Sequence, residues 1–103
     1  MENFLSRNEN GIVVETVNLI KATKEEAEEF KGILLKHIND GNVKLLVDLE
    51  RCIFVDSTFL SALIVAQKAA MKDGGSLKIL SPNLLKHSIC LRFFYLKISR
   101  NFL

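Results

Sequence analysis

Apolar residues recur along this chain with two different spacings, and their order predicts an alternation of strands and helices. Residues 12–17 (IVVETV) are rich in β-branched side chains and predict a strand that opens after Gly11. Residues 44–50 predict the central strand, because the apolar run LLV at 45–47 is typical of a strand covered on both faces. Residues 77–80 predict a further strand. The order favours an α/β domain with a largely parallel sheet.

The first predicted helix begins after Thr23. Thr23 and Glu26 have the spacing of a capping box, and glutamates crowd the first turns, which suits the helix dipole. Helical spacing then predicts a buried stripe of four residues: Ala27, Phe30, Leu34 and Ile38. The sequence Asp-Gly-Asn at 40–42 ends this helix.

The second predicted helix covers Ser57–Lys72 and is unusually apolar. Its polar residues fall on one narrow face, formed by Ser57, Ser61, Lys68 and Lys72. The sequence Asp-Gly-Gly at 73–75 predicts a left-handed helix end and a turn. A third helix is predicted from Pro82 to about Phe93, and residues 96–102 predict a last strand or a tail.

Composition limits the class of protein. The 103 residues, 49% of them hydrophobic, suit one domain over residues 1–103, in which the polar residues 1–10 form an edge or flexible segment. A net charge of +2 gives no argument for nucleic-acid binding. The apolar runs are too short for a signal peptide or for membrane insertion. The two cysteines, Cys52 and Cys90, are too few to indicate a disulfide-rich secreted domain, so we expect free thiols and a cytoplasmic location.

The triplet Asp56-Ser57-Thr58 is the main candidate functional motif. It lies between a buried strand and an apolar helix, where unpaired N–H groups and the helix dipole favour an added phosphate. Asp, Ser and Thr are also ordinary helix N-caps, worth about 1 kcal/mol, so the triplet alone is weak evidence. Its context favours a switchable binding surface over a catalytic pocket.

Other chemistries lack the residues they need. His37 and His87 lie far apart without ligand partners, and neither has a nucleophile at a recognisable spacing. Asp48 and Asp56 match a phospho-aspartate receiver only in part. That chemistry needs a Mg²⁺ site, normally formed by an acidic pair after the first strand, and no such pair follows the first predicted strand here. The basic, aromatic residues 92–100 are more typical of a packed helix end than of a nucleic-acid or membrane contact. We therefore expect no enzyme activity, no metal and no cofactor.

Residues 43–82 carry a resemblance to the core of a STAS domain, the fold of bacterial anti-sigma factor antagonists. The shared pattern is a strand ending in Asp-Leu, an apolar lead-in, Asp-Ser-Thr, an apolar helix, Gly-Gly, a strand and Ser-Pro. The resemblance implies a single STAS-like domain, a small mixed β-sheet with helices packed against it.

The resemblance also implies a function. The expected partner is an anti-sigma factor that is also a serine kinase, with a serine phosphatase as a further partner, and Ser57 is the expected phosphoacceptor. The expected partner-binding residues are Asp56, Ser57, Thr58, Ser61, Asn18 and Lys21. The alternative is a constitutive STAS interaction subunit of a signalling or lipid-transport assembly, without phosphorylation.

Three regions of the chain depart from the family pattern. Phe59 stands where glycine often follows the hydroxyl pair, and Asn18 and Lys21 stand where glycine and an acidic residue are common. Tyr95-Leu96-Lys97 replaces a Gly-Leu-Asp sequence. Lys21 and Phe59 are therefore the residues that favour the constitutive alternative.

Overall fold

A computed structural model describes residues 2–80. The predicted third helix and the predicted strand or tail at 96–102 lie outside these residues, as do His87 and Cys90. The described elements, in chain order, are β1 (Phe4–Glu9), β2 (Ile12–Val17), β3 (Lys21–Ala22), α1 (Lys24–Asn39), β4 (Lys44–Asp48), β5 (Phe54–Val55), α2 (Ser57–Lys72) and β6 (Ser76–Leu80). Neither helix in this part of the chain has the length and hydropathy needed to cross a bilayer.

The main sheet has four strands in the order β1-β2-β4-β6. β2 pairs parallel with β4, and β4 pairs parallel with β6, whereas β1 pairs antiparallel with β2. The sheet is therefore mixed, as the family resemblance implied. The segment before Gly11 forms an edge strand, one of the two predicted alternatives, and the strand predicted as central lies between two parallel neighbours.

The core lies between this sheet and the two helices. Leu45 and Val47 of β4 are fully buried on the helix side, and Leu46 on the opposite face is only partly buried. The second face of β4 is thus less covered than its apolar sequence predicted. Phe30 of α1 stacks between the rings of Phe4 and Phe59, with ring centroids 4.7 and 5.3 Å away, which joins β1, α1 and α2 in one apolar cluster.

Both helices have the bounds and caps that local sequence favours. Thr23 and Glu26 form the predicted capping box, and α1 buries the predicted stripe of Ala27, Phe30, Leu34 and Ile38. α2 covers Ser57–Lys72 as predicted, and Gly74 has a left-handed backbone with φ of 85° just after its end. Local capping energies, worth about 1 kcal/mol each, thus agree with the tertiary packing.

A second, two-stranded sheet was not predicted. The sequence pattern predicted no strand at residues 18–22, but Lys21 and Ala22 form β3, which pairs parallel with β5. These strands have two residues each, too short for an alternating pattern to show in the sequence. They hold together the two chain segments that lead into α1 and α2.

Gly75 is a glycine whose replacement we expect to be costly because another part of the backbone lies very close to it. A Cβ atom there would overlap the carbonyl oxygen of Val43, which accepts a hydrogen bond from Ser76 N. We expect Gly75→Ala to lower the free energy of unfolding by about 1–3 kcal/mol, as other overpacked sites do. Urea unfolding followed by circular dichroism measures this change.

Gly32 provides the matched control. It lies within α1, and a Cβ atom there would meet nothing within 4 Å. Gly32→Ala should therefore raise stability by about 0.5–1 kcal/mol through helix propensity. Equal stabilisation of the protein by both alanine variants would contradict the close contact between Gly75 and Val43.

Candidate functional site

The candidate site lies at the end of the sheet where both helices begin. β2 and β4 both run towards this end, and the chain then enters α1 through β3 and α2 through β5. Asp56 N donates to Ala22 O at 3.0 Å, so the residues just before the two helices are hydrogen-bonded to each other. The start of α1 is therefore a neighbour of the Asp56-Ser57-Thr58 motif.

Asp56 caps both helices at once. Its Oδ1 accepts a hydrogen bond from Phe59 N at 2.8 Å, which is the expected N-cap of α2. Its Oδ2 accepts one from Lys24 N at 2.8 Å, at the first residue of α1. The structure thus gives Asp56, predicted as a partner contact, a structural role, because both carboxylate oxygens are already engaged within the chain.

We expect Asp56→Ala to lower the free energy of unfolding by about 1–3 kcal/mol, since each lost cap costs about 1 kcal/mol. Asp56→Asn keeps one of the two side-chain oxygens, so the free energy of unfolding of this variant should lie between those of Asp56→Ala and the native protein. Asp73→Ala is the matched control, because Asp73 is exposed and follows the end of α2. Equal urea midpoints for Asp56→Ala and Asp73→Ala would contradict the double cap.

Ser57 and Thr58 present free hydroxyl groups at the start of α2. Both residues are exposed, and neither side chain makes a hydrogen bond to another of the residues 2–80. Their backbone N–H groups are also unpaired within that range, since within α2 the Asp56 side chain accepts a hydrogen bond only from Phe59 N. Ser61, also exposed, lies one turn later and donates its hydroxyl to Ser57 O at 2.9 Å.

Of the two predicted loop residues, Lys21 lies close to this motif along the β3–β5 pairing and Asn18 lies at the start of the loop. Lys21 is exposed and pairs in register with Phe54, two residues before Asp56. Asn18 lies three residues before Lys21, directly after β2, and its Oδ1 accepts a hydrogen bond from Arg51 Nη1 at 2.6 Å. Arg51 therefore belongs to the same region, although no sequence pattern had singled it out.

Sequence reasoning missed three exposed apolar residues on the two segments that lead into α1 and α2. Ile20, Ile53 and Phe54 are 65%, 58% and 49% exposed, and Ile53 N donates to Ile20 O at 2.8 Å. Large apolar side chains that are exposed on neighbouring segments are typical of a protein–protein contact. We call the following set the Ser57 surface: Asn18, Ile20, Lys21, Ile53, Phe54, Ser57, Thr58 and Ser61.

Cys52 is poorly suited to act as a nucleophile. It is fully buried and free, and burial, reinforced by the negative charge of Asp48, raises the pKa of its thiol to about 11. The thiol is therefore neutral at physiological pH. Among residues 2–80, no three histidine, cysteine or acidic side chains come together in a group that could hold a metal ion.

The comparison with protein families identifies the fold family. A family model described as "Mlab, STAS domain" matches residues 21–92, which are 72 of the 103 residues. The chain belongs to the STAS-domain family. No curated protein matches the sequence.

Solved structures of similar fold include anti-sigma factor antagonists. The Thermotoga maritima protein TM1081, a proposed anti-sigma factor antagonist, is 21% identical, with a TM-score of 0.72 over 94% of this chain and 80% of that protein. The anti-sigma factor antagonist SpoIIAA in its unphosphorylated form is 17% identical, with a TM-score of 0.69 over 90% and 81% of the two chains. The Bacillus cell fate determinant SpoIIAA in its phosphorylated form is 16% identical, with a TM-score of 0.71 over 95% of this chain and 86% of that protein. At these identities the likeness establishes a shared STAS fold.

Proposed function

We propose that this STAS domain is an anti-sigma factor antagonist that acts by binding and has no catalytic activity of its own. Its partner is a cytoplasmic anti-sigma factor with serine kinase activity, and phosphorylation of Ser57 ends the binding. The observation that carries the proposal is the exposed Ser57 hydroxyl at the start of α2, beside the apolar residues Ile20, Ile53 and Phe54. The likeness to SpoIIAA, solved in phosphorylated and unphosphorylated forms, supports it.

The local geometry supports Ser57 as the phosphoacceptor. Its hydroxyl makes no hydrogen bond to another described residue, so a kinase can reach it without breaking the fold. The unpaired N–H groups of Ser57 and Thr58 lie at the positive end of the α2 dipole and favour a nearby phosphate. A phosphate at this position is therefore compatible with the folded domain.

The same geometry supports a partner contact that phosphate would weaken. Ile20, Ile53 and Phe54 are exposed and can be buried against an apolar patch on the partner, and the exposed Ser57 follows Phe54 by only three residues. Phosphorylation adds a charge of about −2 within such an interface. Desolvating that charge opposes binding unless the partner supplies a cation.

The test is a kinase assay on a captured partner. The tagged full chain is used to isolate its partner from its native cell extract, and the purified pair is incubated with ATP and analysed by intact mass. We expect one added phosphate on the native chain and on Ser61→Ala, and none on Ser57→Ala. Stable capture without any phosphate transfer would instead favour a constitutive interaction subunit. Turnover of nucleotide by the chain alone would overturn the proposed lack of catalysis.

A further inference from the structure

The strand β1 lies at one edge of the main sheet and has a row of free backbone groups. Asn18 N donates to Asn3 O at 2.7 Å, so these two residues form a hydrogen-bonded pair of the antiparallel ladder between β1 and β2. Such pairs alternate along the ladder, so the N–H and C=O groups of Phe4, Ser6 and Asn8 face away from β2. In the described part of the chain these groups have no hydrogen-bond partner. An edge of this kind can pair with a further strand.

A groove runs along this edge, between β1 and α1. It consists of three cavities, of about 350, 400 and 240 Å³. The first two cavities share Phe4 and Ile33, and the last two share Ser6 and His37. Phe4, Ser6 and Asn8 therefore line the groove with their side chains and face the sheet edge with their backbone groups. A single extended ligand can meet both.

A buried carboxylate fixes the two walls of this groove. Glu15 of β2 is fully buried, and its Oε2 accepts a hydrogen bond from Ser6 Oγ of β1 and lies 2.7 Å from His37 Nε2 of α1. Since Glu15 is inaccessible to a ligand, its role in the groove is structural. A groove whose walls are already fixed loses less conformational entropy when a ligand binds.

The end of the groove at the start of β1 is acidic. Glu2 and Glu29 line this cavity, both are exposed, and neither forms an ion pair with another of the residues 2–80. A cation on a ligand would form charge-assisted hydrogen bonds with these carboxylates. Phe4 and Ile33 offer an apolar contact next to them.

We propose that this groove binds an extended peptide segment of another protein, which adds to the main sheet as a strand antiparallel to β1. Side chains alternate along a strand, so every second residue of the peptide faces the groove. An apolar residue opposite Phe4 places the residue two positions later beside Glu2 and Glu29. The expected ligand sequence is therefore apolar–any–basic. This site is independent of the phosphorylation of Ser57.

A second copy of β1 does not supply this chemistry. The β1 residues with free backbone groups are Phe4, Ser6 and Asn8, and none of them is basic. Arg7 is the basic residue of β1, but its backbone groups face β2 and its guanidinium pairs with Glu9. The acidic end of the groove therefore favours a segment of a different protein.

The first experiment measures amide hydrogen exchange of the full native chain by NMR, with and without the end-blocked heptapeptide Thr-Ser-Thr-Leu-Thr-Arg-Thr. In the free chain we expect fast exchange at Phe4, Ser6 and Asn8, and protection at Leu5 and Arg7, which are bonded to β2. Saturating peptide should slow exchange at the first three by about tenfold or more. Protection of these three amides in the free chain would overturn the proposal, because the edge would already be occupied, by a second copy if the protection rises with protein concentration.

The second experiment compares matched peptides by NMR titration. N-methylation of the leucine removes a donor that faces β1 and should abolish saturable binding. N-methylation of the threonine after the leucine, whose N–H faces away from β1, should change the affinity by no more than about twofold. A peptide with glutamate in place of arginine should bind about tenfold more weakly.

The third experiment reverses the charge of the groove. Glu29→Lys should weaken binding of the arginine peptide by about two- to fivefold and strengthen binding of the glutamate peptide. Glu28→Lys is the matched control, since Glu28 is exposed on α1 but does not line the groove, and it should change neither affinity. Equal binding of the two N-methylated peptides would overturn the proposal. So would an arginine-to-glutamate preference that Glu29→Lys leaves unchanged, or an absence of saturable shifts at millimolar peptide.

Discussion

Replacing Val47 with aspartate is expected to abolish cooperative folding. Val47 is fully buried in β4, an internal strand hydrogen-bonded on both sides, and it lies between Glu15 of β2 and Ile79 of β6. A new carboxylate there would be unpaired and would lie beside the carboxylate of Glu15. An unpaired buried charge costs several kcal/mol, which is comparable to the total stability of about 5–15 kcal/mol of a small domain.

Val65 provides the matched control for this change. It carries the same side chain but is 45% exposed on α2, so Val65→Asp should cost no more than about 1 kcal/mol through helix propensity. Circular dichroism and urea unfolding of both variants measure the difference. A Val47→Asp protein with a native spectrum and a native urea midpoint would contradict the position of β4 in the core.

A negative charge at position 57 is expected to weaken partner binding by roughly 5–150-fold, the usual range for coupling of about 1–3 kcal/mol. The reason is the location of Ser57 beside the exposed Phe54 and Ile53, where charge must be desolvated when a partner covers the surface. Phosphoserine 57 should show the full effect and Ser57→Asp a smaller one, because aspartate carries less charge. Ser57→Ala should bind as tightly as the native chain, and Thr58→Ala should matter less than changes at Ser57.

The measurement is the dissociation constant of each variant for the captured partner. Asn10→Asp is the matched control, because it makes the same change of charge in the β1–β2 turn, at the opposite end of β2 from the Ser57 surface. It should leave the affinity unchanged. The proposed switch is wrong if Ser57→Asp binds with native affinity. A partner that binds strongly but never phosphorylates Ser57 would support the constitutive alternative that Lys21 and Phe59 favoured.

Elements governed by local energetics could be predicted from the sequence. The bounds of α2, the capping box of α1 and the left-handed Gly74 each depend on residues within a few positions of one another. The exposed face of α2 was also predictable, since a period of 3.6 residues places Ser57, Ser61, Lys68 and Lys72 together. These features are encoded by short-range spacing.

Features that join distant segments could not be predicted in this way. The pairing of β3 with β5 brings together residues more than thirty positions apart, in strands too short to show a pattern. The second hydrogen bond of Asp56, to Lys24 N, depends on that pairing. The contact between Glu15 and His37 likewise requires α1 to pack across β2, so neither residue could be assigned to a site from spacing alone.

The sequence by itself determined the α/β pattern, the bounds of α1 and α2, the STAS resemblance and the position of Ser57 at the start of an apolar helix. These depend on side-chain periodicity and capping, which act over one or two turns. Only the tertiary structure decided that Asp56 caps two helices and that Ile20, Ile53 and Phe54 are exposed on the neighbouring segments that lead into those helices. It also decided that a buried glutamate lies beside a cavity. The physical reason is that burial and hydrogen-bond pairing depend on which distant segments pack together.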